Sequence, residues 1–218
     1  MTKLKQFKNK LKKKYLWRKY HDMAHYFCKG KGLEIGALCY PYLFNDDCKL
    51  QYADIFDNSE LRRIVDEIPL ENLYSKELVR IDYILKPPKY LFEDINSNTF
   101  NFVYSSHSLE HSPNPISALN DQIRITKPGG IIYSVIPNKK NTYDRLRKTT
   151  PSSILINKFE KNIYEHSIEE AIDVVKNTDS HALYEPHKKD PINYAKEILE
   201  KKEGIHHYHT FDETNILD

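Results

Sequence analysis

Gly30-Lys31-Gly32-Leu33-Glu34-Ile35-Gly36 is the stretch on which the fold turns. It is a short apolar run that stops at a glycine, the pattern of a strand buried on both faces and closed by a tight turn. Working outward, Leu50 to Ile55 reads as a second strand with Asp54 near its end, and Leu78 to Ile84 as a third. Phe100 to Ser105 supplies a fourth and Ile131 to Ile136 a fifth. Between them lie a charged, helix-compatible stretch from Glu60 to Ile68 and a helix from Ile116 to Thr126, stopped by Lys127-Pro128-Gly129-Gly130. Strands that alternate with helices or helix-length links predict an α/β, Rossmann-like, doubly wound and mostly parallel sheet. Such sheets bind ligands beyond the carboxyl ends of the strands, where strand order reverses.

The rest of the chain fits one main domain with additions at both ends. Its 218 residues suffice for a single core. Residues 1–29 are expected to form a basic helical segment, 30–148 the core, and 149–218 a helical insertion or lid containing a helix from Ile192 to Glu203. The formal net charge is +2, but Lys3, Lys5, Lys8, Lys10, Lys12, Lys13, Lys14, Arg18 and Lys19 crowd the amino terminus. With Leu4, Phe7, Leu11 and Tyr15 near helical spacing, that segment suits packing on the domain or contact with an anionic membrane surface. Nucleic acid is disfavoured, because no aromatic and basic single-strand platform stands out within the domain. No apolar run approaches the roughly 20 residues that span a bilayer. Three cysteines, Cys28, Cys39 and Cys48, with no secretory signal before them, argue against a disulfide framework and for the cytoplasm.

Chemistry concentrates at the ends of the candidate strands. Gly36 permits a tight turn beside a ligand, and Asp54 offers a carboxylate suited to a ribose diol. His107 and His111 are candidate bases, since imidazole takes a proton near neutral pH. His107-Ser108-Leu109-Glu110-His111 spells H-x-x-E-H, a zinc-peptidase pattern that needs a continuous helix. Ser112-Pro113-Asn114-Pro115 follows at once, which disfavours a protease. His206, His207 and His209 suggest a metal cluster but have no evident carboxylate or cysteine companion at ligand spacing, so no metal is expected. A nicotinamide enzyme is disfavoured because G-x-G-x-x-G is absent.

Taken in order, Leu33-Glu34-Ile35-Gly36-Ala37-Leu38 with Pro41, Phe100-Asn101-Phe102-Val103-Tyr104-Ser105-Ser106-His107-Ser108-Leu109-Glu110-His111, and Ile125-Thr126-Lys127-Pro128-Gly129-Gly130 resemble the motifs of class I S-adenosylmethionine (SAM)-dependent methyltransferases. The resemblance covers roughly residues 30 to 145 and is strongest to a branch associated with bacterial surface-polysaccharide pathways. It implies SAM as cofactor and methyl transfer to an oxygen of a small or glycan-linked acceptor. On this resemblance Glu34, Gly36 and Ala37 surround the methionine and ribose, Asp54 holds the ribose hydroxyls, and Asp82 and Tyr83 flank adenine. Ser105, Ser106 and His107 face the transferring methyl group.

Leu38, Tyr40 and Asn101 depart from the commoner motifs, where glycine, glycine and aspartate stand. Pro137 to Thr150 resembles the branch's Pro-rich exit and the loop above the cofactor, with Asp144, Arg145 and Arg147 placed to hold an acceptor. Tyr208 to Asp218 resembles the start of the family's last helix, and the last two strands of the family's sheet do not follow in this sequence. An RNA methyltransferase and a non-catalytic module keeping the SAM fold are the alternatives.

Overall fold

The computed structural model describes residues 23–38, 41–67, 77–179, 190–201 and 206–216. The expected basic helix therefore falls almost wholly outside the described residues. Five described strands, β1 (Lys31–Ile35), β2 (Lys49–Asp54), β3 (Tyr83–Ile84), β4 (Phe100–Ser106) and β5 (Thr126–Val135), form one sheet in the order β3-β2-β1-β4-β5. Every pairing is parallel. The order reverses between β1 and β4, so the carboxyl ends of these two strands frame the switch point where such sheets take ligands.

The alternation of residues along β1 sends side chains to two different cores. Leu33 and Ile35 join Ala53, Phe100, Val103 and Ile125 under α2 (Pro115–Ile125), the helix linking β4 to β5. On the opposite face Phe102 and Tyr104 of β4 pack with Ala24, Cys28 and Tyr42. Among the described residues no helix separates β1 from β2. Instead, Tyr42 and Phe44 lie against Tyr104 and Phe102 at ring separations of 4.9–5.4 Å, so aromatic loop residues take over that part of the cover. Gly32 faces this layer, and a β-carbon there would stand 2.0 Å from the Phe102 ring. Only glycine lets the ring lie flat on the strand.

Two expected elements change their extent. The third strand shrinks to Tyr83–Ile84: upstream, the Asn58 side chain donates to the Val79 carbonyl and accepts the Ile81 amide, and Asp82 meets β2 through its amide, donated to Tyr52, and its side chain, which accepts the Tyr52 amide at 2.9 Å. The fifth strand instead lengthens and begins at Thr126. Thr126 pairs with Phe100, then the register jumps so that Ile131 faces Phe102, and Lys127-Pro128-Gly129-Gly130 becomes an irregularity within the strand. The helix ends carry the expected chemistry. Asp57 Oδ1 accepts the amides of Ser59 and Glu60 at the start of α1 (Asn58–Glu67), and Asn114 caps α2 with Pro115 in its first turn.

Beyond β5, α3 (Ser152–Glu160), α4 (Ile168–Asn177) and α5 (Pro191–Lys201) follow. A reciprocal capping box between Ser167 and Glu170 starts α4. Ala171, Val174 and Val175 of α4 close on Ala195 and Ile198 of α5 and on Tyr208, giving these helices a small apolar core of their own. The stretch from Tyr208 to Ile216, expected to begin a helix, is instead a run of turns. It is pinned by a bridge between Phe211 and Asn138 and by Thr149, whose hydroxyl donates to Asp212 at 2.7 Å. No helix among the described residues is long and apolar enough to cross a membrane.

Candidate active site

A cleft of about 670 Å³ opens at the switch point. Its floor is the end of β1 at Ile35 and Gly36, with Asp54 from the end of β2 and His107 from just beyond β4. Leu85, Pro87, Pro88, Tyr90 and Phe92 form an apolar wall, while Tyr164, His166, Leu199, His207 and Tyr208 close over it from the helical region. A volume of this size and a mostly apolar lining with a few polar groups are the usual properties of a small-molecule site.

Of the residues singled out in the sequence, the cleft gathers Gly36, Leu38, Asp54, His107, His111 and His207. Gly36 adopts φ +71°, and the space where its β-carbon would stand meets nothing nearer than the Ser108 Cβ at 4.0 Å. The backbone there is open to close approach by a ligand. Asp54 is buried, its Oδ1 accepts the Phe56 amide at 3.2 Å, and burial pushes its carboxyl up to about 6. His107 also takes a left-handed conformation, φ +53°, with its amide donated to Val135 at 3.0 Å. That turn swings the chain from β4 into a short 3₁₀ segment, Leu109–His111. Burial pushes the His111 imidazole down to about 4, against the opposing pull of Glu110.

The other residues expected at the cofactor or acceptor do not line the cleft. Glu34 and Ala37 are buried. Glu34 Oε1 accepts the Tyr42 amide at 2.9 Å, Oε2 has no hydrogen-bond partner among the described residues, and burial pushes the carboxyl up to about 8. Its place is beneath the loop that follows β1. Asp82 is spent on β2, and Tyr83 packs against the core with its hydroxyl 3.4 Å from Gln51; the apolar wall next to them comes from the residues after β3. Ser105 hydrogen-bonds Ser134 across the sheet at 3.1 Å, and Ser106 ends the strand.

Arg147, expected to face an acceptor, is fully buried and committed. Its guanidinium donates to Asp144 at 2.8 Å, to Asp173 at 2.7 Å, and to the carbonyls of His207 and Tyr208. Asp144 is buried with it, and hydrogen bonds from His207 and Arg147 outweigh its burial and hold its carboxyl below the usual range. Arg145 stays half-exposed and pairs with Asp179. This trio therefore fastens the segment after β5 to α4 and to residues 207–208.

The sequence missed one constellation. His207 was expected to lack a carboxylate companion, yet the fold sets its Nε2 3.6 Å from Glu110 Oε1 and its Nδ1 2.6 Å from Asp144 Oδ2. His107 Nδ1 and His111 Nε2 reach the same Glu110 oxygen at 3.5 and 3.8 Å. Glu110 is 1% exposed. The available signal was the H-x-x-E-H spelling, which needs no long helix once a third histidine arrives from elsewhere in the chain.

Residues 70–134, from before β3 through most of β5, match the family model of the methyltransferase domain. That match covers less than a third of the chain. Among solved structures, a SAM-dependent methyltransferase from Aquifex aeolicus is 14% identical at a TM-score of 0.32, covering 53% of this chain and 58% of its own. A SAM-dependent methyltransferase from Thermotoga maritima is 16% identical at a TM-score of 0.36, covering 87% of this chain and 78% of its own. The chain thus spans less than two thirds of the length of the Aquifex protein. No curated protein sequence matches the chain. The matched residues include β3, β4, α2 and most of β5.

Proposed function

We propose that the chain is a SAM-dependent methyltransferase that methylates an oxygen of a small or glycan-linked acceptor in the cytoplasm. The observation that carries the cofactor assignment is the meeting of Gly36 and Asp54 at the switch-point cleft of a methyltransferase domain. The residues present fit the group. The open backbone at Gly36 admits the amino-acid end, Asp54 offers a carboxylate to the ribose diol, and Leu85, Pro87, Pro88 and Phe92 give the adenine ring an apolar wall. Glu34 serves indirectly, holding the loop after β1 through the Tyr42 amide.

SAM supplies a methyl group already activated by its sulfonium, so placement of the acceptor is the main demand on the protein. His107 and His111 stand at the mouth of the cleft, beside the end of β4, where an acceptor hydroxyl has to lose its proton. Tyr164, His166, Leu199, His207 and Tyr208 of the helical region line the cleft opposite the apolar wall. Asp144 and Arg147 hold that region in place, while Arg145 keeps an exposed face toward solvent. The polysaccharide connection is supported by the motif resemblance alone.

Methyl-labelled SAM, incubated with the protein and a panel of nucleotide sugars and surface-glycan fragments, tests the reading. Label on a sugar hydroxyl with release of S-adenosylhomocysteine is the expected result. Label found only on RNA would replace the acceptor assignment, and SAM binding without turnover on any acceptor would favour a non-catalytic module.

A further inference from the structure

We infer that His107, Glu110 and His207 form a binding site for a divalent transition-metal ion at the mouth of the cleft. One ligand atom from each of the three lies within 4.8 Å of the others. The central fact is Glu110. It is buried to 1% exposure, and neither of its oxygens has a hydrogen-bond partner among the described residues. A buried carboxylate with no donor is costly, and several kcal/mol of desolvation normally calls for a paired cation. The groups around it are imidazole nitrogens at 3.5–3.8 Å, too far for hydrogen bonds and close enough to share an ion after a small inward movement.

The surroundings hold those nitrogens in the state a metal requires. His207 Nδ1 sits 2.6 Å from Asp144 Oδ2, so its proton belongs on Nδ1 and the lone pair of Nε2 points to Glu110. Asp144 is itself clamped by Arg147 at 2.8 Å. A carboxylate behind a histidine is the usual outer support of a metal-ligating imidazole. His111 repeats the pattern. Its Nδ1 lies 2.9 Å from the carbonyl of His206, which fixes the proton there and turns Nε2 toward Glu110, making it a fourth donor within reach. The left-handed backbone of His107 brings the third imidazole onto the same carboxylate.

Two imidazoles and a carboxylate suit Mn²⁺, Fe²⁺, Co²⁺ or Zn²⁺ and leave coordination positions open. His107 and His207 both line the cleft, so those positions face the place proposed for the acceptor, whose oxygen would complete the shell. In the loaded protein His107 is then a ligand and not a base. The site rests on these side chains and stands whether or not the cleft takes SAM.

The test uses tag-free full-length protein stripped with a chelator and titrated with Mn²⁺ by calorimetry, with pulsed electron paramagnetic resonance on the bound ion. Saturable binding of one ion per chain with imidazole-nitrogen modulation is expected. Glu110→Gln and His207→Gln should each weaken binding at least 10-fold, and Asp144→Asn, behind the ligand, by about 10- to 100-fold. Absence of a nitrogen-coordinated ion on the wild-type chain at millimolar Mn²⁺ or Co²⁺ overturns the site. So does affinity unchanged in Glu110→Gln and His207→Gln. Should those variants fail to fold, the wild-type nitrogen signal decides alone.

Discussion

Glu34 makes the fold of this chain pH-sensitive in a direction that can be worked out. Its carboxyl stands at about 8 in the folded protein because burial disfavours the charge, against an ordinary value of 4.5. Between those two values the unfolded chain has released the proton and the folded chain still holds it. Folding therefore takes up a proton, and stability falls as pH rises through that window. Each unit is worth about 1.4 kcal/mol, so the full window is worth on the order of 5 kcal/mol. Glu34→Gln removes the titration and keeps an oxygen able to accept the Tyr42 amide. Relative to the wild type, the variant should gain stability steadily from pH 5 to pH 8 and level off above it. Asp54, also raised, is common to both proteins and cancels in the difference. Urea denaturation of both proteins at half-unit steps from pH 5 to 9 measures that difference. A difference that stays flat across the range would refute the reasoning and mean that the carboxylate is solvated or paired in the folded state.

Other perturbations follow from the packing. Gly32→Ala puts a methyl group into the Phe102 ring and should cost about 1–3 kcal/mol, read as a shift of the urea midpoint with unchanged slope. Arg147→Met removes the guanidinium beside buried Asp144 and leaves two carbonyls without their donor. A loss of about 3–5 kcal/mol is expected, with faster amide exchange in α4 and in residues 206–209. Ser167→Ala breaks one half of a capping box and should cost about 1 kcal/mol in the same denaturation assay.

The elements that were legible in the sequence are those in which local pattern and tertiary role agree. β1 and β4 are apolar runs that end at a turn, and α2 is bracketed by Asn114-Pro115 and by the Pro-Gly-Gly irregularity, so each announces its own limits. β3 was read too long because Val79 and Ile81 look like strand residues, whereas the Asn58 side chain donates to the Val79 carbonyl and accepts the Ile81 amide. The cleft wall beside β3 likewise comes from the residues after it, Leu85, Pro87 and Pro88, and not from Asp82 or Tyr83, which were expected to flank adenine.

The positions of Gly36, Asp54 and His107 in the cleft were legible because they lie at strand ends. The roles of Glu110, His207 and Arg147 were not, since they depend on chain segments far apart in sequence meeting over the sheet. A charged side chain such as Arg147 reads as surface until its partners Asp144 and Asp173 and the 207–208 carbonyls are known to surround it.

Calorimetric titration with SAM, repeated on Asp54→Ala and with NAD as a comparison, bears most directly on the central claim. Saturable SAM binding and none of NAD is the predicted result. Asp54→Ala should weaken SAM binding about 10- to 100-fold through the lost charged hydrogen bonds to the diol. Wild-type affinity should also fall as pH drops below about 6, where Asp54 takes up its proton. A folded protein that ignores SAM, or binds it equally well without the Asp54 carboxylate, would contradict the assignment of the cleft.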